Sequence, residues 1–211
     1  MSAFETDLNQ EQILSAYLDG VYKVKKIAFE RIFDIEKQHQ GIDLIIKYNS
    51  TKYYVDEKAQ LHYLNKDLPT FTFELSYLNK NKKLKEGWLF DKNKLTQYYF
   101  LITGIFLKNN KKRLTSPEEI EKLKIISVQR EKLIAHLNGI GLTKAKLQQY
   151  DADFRKNRSY NKNPIAELDK KREGLIFYSK QLTEKPVNLQ LRLKYLIDKN
   201  IAKEFHNGQK Q

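Results

Sequence analysis

The stretch from Gly41 to Gln60 reads GIDLIIKYNSTKYYVDEKAQ. Ile42, Leu44 and Ile46 alternate with Asp43, Ile45 and Lys47. Tyr53, Val55, Glu57 and Ala59 alternate with Tyr54, Asp56, Lys58 and Gln60. A period of two in β-branched and aromatic residues predicts two strands. Asn49 and Ser50 are turn formers between them, so the simplest arrangement is a hairpin. With a two-residue loop, Tyr48 faces Thr51 and Asp43 falls opposite Asp56. Facing residues in an antiparallel pair have Cβ atoms roughly 5 Å apart. Lys58, two residues on, shares their face. The other face then carries Ile42, Leu44, Ile46, Tyr53 and Val55 as a core layer. A longer loop would move this register.

Two like charges facing each other normally destabilise a sheet. A cation between them removes the repulsion, and hard oxygen ligands suit Mg²⁺ or Mn²⁺. The competing reading is a solvated strand face with alternating charges, common in a chain this rich in charge. The apolar opposite face and the upstream Gly-Ile-Asp favour the site.

The same residues resemble the PD-(D/E)xK nuclease signature. Gly41-Ile42-Asp43 stands where that family often has Pro-Asp, and Asp56-Glu57-Lys58 stands as the (D/E)-x-K. The resemblance covers residues 10 to 107 in order of elements, a helix and then a run of strands. It implies a restriction-endonuclease-like core. It implies that Asp43 and Asp56 hold a divalent ion, Mg²⁺ or Mn²⁺, and that Lys58 positions or activates the attacking water. It implies DNA as the substrate and allows a homodimer, since many relatives cut as dimers. Two departures stand out. No proline precedes Asp43, and Pro69 with a further strand-like run replaces the helix usual after the lysine. Glu11, Glu57 and Glu74 are additional acids to weigh for the metal site. Some family members take an acid from the first helix, although a carboxylate on the helix dipole is the plainer reading of Glu11. Glu74 reads equally as a solvent-face glutamate.

Composition narrows the classes. Thirty-nine Lys and Arg against 26 Asp and Glu give a net charge of +13. Such a balance favours a polyanionic partner, because bound lysines and arginines release counterions from phosphates. A lysine-rich proteome explains it equally well. No cysteine occurs, which excludes disulfides, thiolate metal sites and cysteine nucleophiles. His39, His62, His136 and His206 match no zinc spacing. No Gly-rich phosphate loop appears. No signal-like or membrane-length apolar run is seen, and the expectation is a soluble cytoplasmic protein.

Along the chain, Asn9 is expected to cap a helix over 10–19 that Gly20 ends. Val21 to Asp34 reads as strand, and 36–40 as a polar link in which Gln38 could touch backbone phosphate or metal-bound water. Thr70 to Tyr77 alternates again. The run 79–86 reads as a mobile basic loop, with Trp88 either stacking on a base or half-buried. Thr96 to Leu107 reads as a strong strand, and 109–113 as a basic turn that could contact phosphates. Ser116-Pro117 is expected to start a helix to about Lys124, followed by a short strand, KIISVQ. Further helices are expected over 130–137 and from 144 to about 155, the latter capped by Thr143 and resembling with its predecessor a helix-turn-helix. Residues 155–164 read as a basic linker, 175–179 and 187–193 as a hairpin, and 195–204 as a last helix before a loose tail.

These readings predict a mixed α+β fold with a central mixed, largely antiparallel sheet flanked by helices. Residues 1–113 are expected to form the nuclease core, and 114–211 a helical and hairpin portion packed on it. The predicted function is metal-dependent hydrolysis of phosphodiester bonds in DNA. The alternative is a non-catalytic nucleic-acid-binding protein on a degenerate nuclease fold. A pure binder has no reason to set Asp43 opposite Asp56, because paired carboxylates repel phosphates.

Overall fold

A computed structural model describes residues 3–209. In chain order its elements are α1 (Ala3–Val24), β1 (Ala28–Arg31), α2 (Ile35–His39), β2 (Leu44–Tyr48), β3 (Thr51–Ala59), β4 (Thr70–Leu78), β5 (Leu84–Glu86), β6 (Tyr98–Leu107), β7 (Ile120–Gln129), α3 (Arg130–Gly139), α4 (Lys144–Lys156), β8 (Asn161–Asn163), β9 (Gly174–Tyr178), β10 (Val187–Arg192), α5 (Leu193–Asp198) and β11 (Ala202–Gly208). The fold is mixed α+β. None of the described helices is long and apolar enough to cross a membrane.

The chain forms two compact units, each assembled from separated segments. Of the described residues, 3–68, 95–128 and 203–209 make the first, while 69–94 and 129–202 make the second. The boundary expected near residue 113 falls inside the first unit, between β6 and β7. The division follows the sheets instead, because the strand expected to extend the core, β4, joins a different sheet.

The first unit holds a six-stranded sheet in the order β1-β2-β3-β6-β7-β11. β1, β2 and β3 are antiparallel neighbours, but β3 and β6 run parallel, with Asp56 beside Tyr99 and Lys58 beside Leu101. A parallel pair needs a long crossover, and here it contains the whole 69–94 segment of the second unit. β6 lies between two neighbours and is buried on both faces from Tyr99 to Ile105, which is why its sequence is nearly continuous apolar. The core of this unit joins Leu14, Tyr17, Leu18, Val21 and Tyr22 of α1 to Leu44, Val55, Phe100 and Ile102 of the sheet.

That core explains why α1 runs past Gly20. Tyr17, Leu18, Val21 and Tyr22 form one apolar stripe at helical spacing and all are buried. Burial of Val21 and Tyr22 outweighs the roughly 1 kcal/mol penalty of an interior glycine, so only Ala28–Arg31 of the expected 21–34 strand is extended. Further expectations change as well. Ser116 does cap, accepting the Glu118 amide, but it caps one 3-10 turn. Ile120, Leu123, Ile125, Ile126 and Val128 then bury along β7. The expected tail is β11, an edge strand, and α5 stops at Asp198. The basic run 79–86 is a hairpin tip at 79–83, in which Asn79 Oδ1 accepts the amides of Asn81 and Lys83, followed by β5. The expected linker 155–164 contains the edge strand β8.

The second unit holds an antiparallel five-stranded sheet, β5-β4-β10-β9-β8, with α3, α4 and α5. Thr143 caps α4 by accepting the Lys146 amide. Trp88 packs on Phe73, ring centroids 5.5 Å apart, so it serves packing. Where β9 meets β10, a Cβ on Gly174 would lie 2.4 Å from the Gln190 carbonyl oxygen. Gly174→Ala should therefore destabilise the protein by about 1–3 kcal/mol through forced backbone displacement. A urea titration checks this: the midpoint should fall at unchanged slope.

Candidate active site

Two local features deliver Asp43 to its place. Asp34 caps the short α2 by accepting the Lys37 amide at 2.9 Å. Gly41, at φ +74°, then ends it in the left-handed region that favours glycine, with the Ile42 amide bonded to the Lys37 carbonyl. The Thr96 hydroxyl holds the Gly41 carbonyl at 2.8 Å from the start of the β6 segment. The Gly-Ile-Asp run is thus a helix stop followed directly by the entry to β2.

The hairpin that follows has the two-residue loop. Asn49 and Ser50 have φ of 48° and 62°, a pattern that matches the twist of antiparallel strands. Tyr48 pairs with Thr51 and Leu44 with Val55. One step on, the ladder becomes irregular. The Asp43 amide donates to the Val55 carbonyl at 3.0 Å, and the Ile32 amide donates to the Asp43 carbonyl at 2.9 Å. The Asp43 carboxylate, through Oδ2, accepts the Glu57 amide at 2.8 Å. A side chain stands where a ladder carbonyl ordinarily accepts. This irregularity also moves Ile42. Expected beside Leu44 and Ile46, it packs instead with Ile32, Ile45 and Tyr54 on the other side of the sheet.

Asp43, Asp56 and Lys58 come together. Asp56 is 1% exposed, and its Oδ1 accepts from Lys58 Nζ at 2.5 Å. Its Oδ2 is buried with no hydrogen-bond partner. The Asp43 and Asp56 carboxyl groups are close enough to feel each other's charge. Burial, and next the charge of Asp56, push Asp43 up to about 7, against the opposing pull of Lys58 and the Glu57 amide. Burial alone would lower Lys58, but Asp56, Asp43 and, more distantly, Glu11 hold it above its ordinary value. The lysine is therefore a cation, with about a third of its side chain, 31%, open to solvent.

The other candidate residues separate. Glu11 is exposed on α1, near enough for Lys58 to feel its charge. Glu57 faces away from the pair. Its carboxylate accepts from Tyr22 Oη at 2.6 Å and from Arg31 Nη1 at 2.6 Å, and Arg31 also binds Asp19. Glu74 belongs to β4 of the second unit. Gln38 is structural, its Nε2 donating to the Ile32 carbonyl. Lys111 in the basic turn pairs with Glu119 at 2.6 Å. The Tyr22–Glu57–Arg31–Asp19 network was not anticipated, although its signal was in the pattern: Glu57 interrupts the apolar alternation of Tyr53, Val55 and Ala59.

The donor set can be tested against a hard cation. Two converging carboxylates, one with a buried orphan oxygen, fit Mg²⁺ or Mn²⁺. Among the described residues, however, no group of three or more His, Asp or Glu side chains is arranged to hold a metal ion. An ion here would rest on Asp43 and Asp56, with its other ligands from water or substrate, as is usual for Mg²⁺. Compared with protein-family models, curated proteins and solved structures, the chain has no match.

A raised carboxyl makes a signed prediction. Between the unfolded value, about 4, and about 7, the folded state binds the extra proton, so this contribution to stability is present at low pH and lost as pH rises. His136 and His206, held below their ordinary values mainly by burial, pull the opposite way. Thermal unfolding in chelator should therefore compare wild type with Asp43→Asn. The difference between them should shift against wild type as pH rises through that window, and Mn²⁺ at pH 8 should restore wild type alone.

Proposed function

We propose that the protein is a metal-dependent nuclease that hydrolyses phosphodiester bonds in DNA, with Asp43, Asp56 and Lys58 as its reactive centre. The observation that carries this is the buried Asp56 Oδ2. A carboxylate oxygen out of contact with water and without a donor is costly, and here it lies beside a second buried carboxyl. A divalent cation resolves both problems at once. The strong positive charge of the chain supports a polyanionic substrate.

Asp43 and Asp56 would hold the ion. When bound, it supplies a water of lowered pKa and offsets charge on the phosphate. The protein's own groups have separable tasks. Asp56 is locked by Lys58 through Oδ1, which leaves Oδ2 for the cation. Asp43 is locked by the Glu57 amide. Lys58, a cation with solvent access, is placed to hold a phosphate oxygen or orient the attacking water. Its charge and that of the ion offset the repulsion between carboxylates and phosphate. The specific resemblance to PD-(D/E)xK nucleases fits this division of roles. The short run between β3 and β4, with only a 3-10 turn at Leu61–Tyr63, departs from the family's helix.

A second reading has an observation in its favour. The shortage of a third acidic ligand among the described residues suits a non-catalytic nucleic-acid binder on the same scaffold. One assay separates them. Supercoiled plasmid and single-stranded DNA are incubated with Mg²⁺ or Mn²⁺. Wild type should cut, EDTA should stop it, and Asp56→Asn and Lys58→Ala should each lower the single-turnover rate about 10²-fold or more. Intact substrate with a retained gel shift would establish the binder instead.

A further inference from the structure

β3 carries buried charge on both of its faces at consecutive positions. Asp56 and Lys58 stand on one face and belong to the site. Glu57, between them, points into the layer of Leu44 and Val55, where an apolar residue is the ordinary choice. There its carboxylate is held from two elements. Tyr22 of α1 donates to Oε1 at 2.6 Å. Arg31 of β1 donates from Nη1 to Oε2 at 2.6 Å and from Nη2 to Oε1 at 3.3 Å. Asp19 of α1 in turn accepts from Arg31 Nε at 2.8 Å and Nη2 at 2.6 Å. The Arg31 and Glu57 side chains are 10% and 8% exposed.

Stability alone does not call for charges at this place. Leu14, Tyr17, Leu18 and Val21 already dock α1 on the sheet, and replacing a buried ion pair by apolar residues of similar volume is often neutral or stabilising. What the network supplies is a single position for Glu57. Arginine fixes direction as well as charge, because its planar fork meets a carboxylate at two points. The backbone of this same residue donates to Asp43 Oδ2 at 2.8 Å. Anything that sets the placement of Glu57 therefore sets the direction of the Asp43 carboxylate on the opposite face.

We infer that Tyr22, Arg31 and Glu57 are positioning residues for the Asp43–Asp56 pair, acting through the Glu57 amide. The inference rests on the proposed function in that the pair is taken to hold a divalent cation. Outer partners of ligating groups commonly govern 10- to 100-fold in metal affinity. The network is such a partner, transmitted through one backbone hydrogen bond rather than through side-chain contact. α1 thus acts on the site through Glu57.

The test measures Mn²⁺ binding by electron paramagnetic resonance and exchange of the Glu57 amide by NMR. The proteins are wild type, Tyr22→Phe, Glu57→Gln and a control, Leu18→Val. Tyr22→Phe keeps the ring packing against Phe29, Phe100 and Phe205 and removes only the hydroxyl, so it should remain folded even where Glu57→Gln does not. Leu18→Val weakens the same helix docking without touching the network. The expected result is that Tyr22→Phe weakens Mn²⁺ binding about 10-fold and speeds exchange of the Glu57 amide. Leu18→Val should lower the melting temperature and leave Mn²⁺ affinity as in wild type, with the Glu57 amide exchanging no faster than its neighbours on β3. Unchanged Mn²⁺ affinity in Tyr22→Phe, or an equal loss in Leu18→Val, would show that the network serves packing alone. A wild type that binds no Mn²⁺ would overturn the metal reading itself, and this inference with it.

Discussion

The hydrogen bond from the Glu57 amide to the Asp43 carboxylate ties the two halves of the hairpin together at the point where its regular ladder ends. Around it the first unit is organised as a set of constraints on β3. The pleat forces neighbours to opposite faces, so a strand that turns Asp56 and Lys58 to one side must bury Glu57 on the other. Burying Glu57 demands donors, and a helix and an edge strand must be long enough to bring Tyr22 and Arg31 to it. The continuation of α1 beyond Gly20 meets that demand while extending the apolar stripe. Packing and polar satisfaction therefore ask for the same helix length.

The charge distribution works on two scales. The chain as a whole is strongly basic, a field that draws polyanions and is weakened by salt within about a Debye length, roughly 8–10 Å. Locally, two buried carboxyls face each other and only one lysine answers them. Left alone, this arrangement keeps a proton on Asp43 near neutral pH, the natural state of a crowded carboxyl pair. The proposed ion takes the place of that proton. On the proposed reading, the crowding that raises Asp43 is also what would draw a divalent cation to the pair, and binding would then be tied to pH.

Much of this was legible in residues 41–60. Period-two alternation marked both strands. The turn residues marked the loop, and the loop length set the register that brings Asp43 toward Asp56. What the local pattern did not carry was the irregular step at Asp43. Alternation continues in the sequence through Ile42, whereas the glycine turn before it rotates the backbone and sends Ile42 to the other side. Helix ends were misread where tertiary burial overrode a local stop, as at Gly20, or where a true capping residue, Ser116, preceded a strand. The assignment of β4 to a second sheet was not readable at all. Its alternating Phe71, Phe73 and Leu75 specify an apolar face but not the partner strand, and that partner, β10, lies more than a hundred residues further along.

The interleaving of the two units shapes how the chain can assemble as it is made. Translation delivers the six-stranded sheet in three instalments, separated by the segments 69–94 and 129–202 of the other unit. β1, β2 and β3 form locally, with short loops and low closure entropy. β6 must then find β3 in parallel across the intervening segment, and the outer edge of β7 stays unpaired until residue 208 has left the ribosome. An exposed strand edge is an invitation to pair with the wrong chain. Lys122, exposed on β7 itself, is a charged guard of the kind that natural edges use, and it stands on the strand that waits longest for its neighbour.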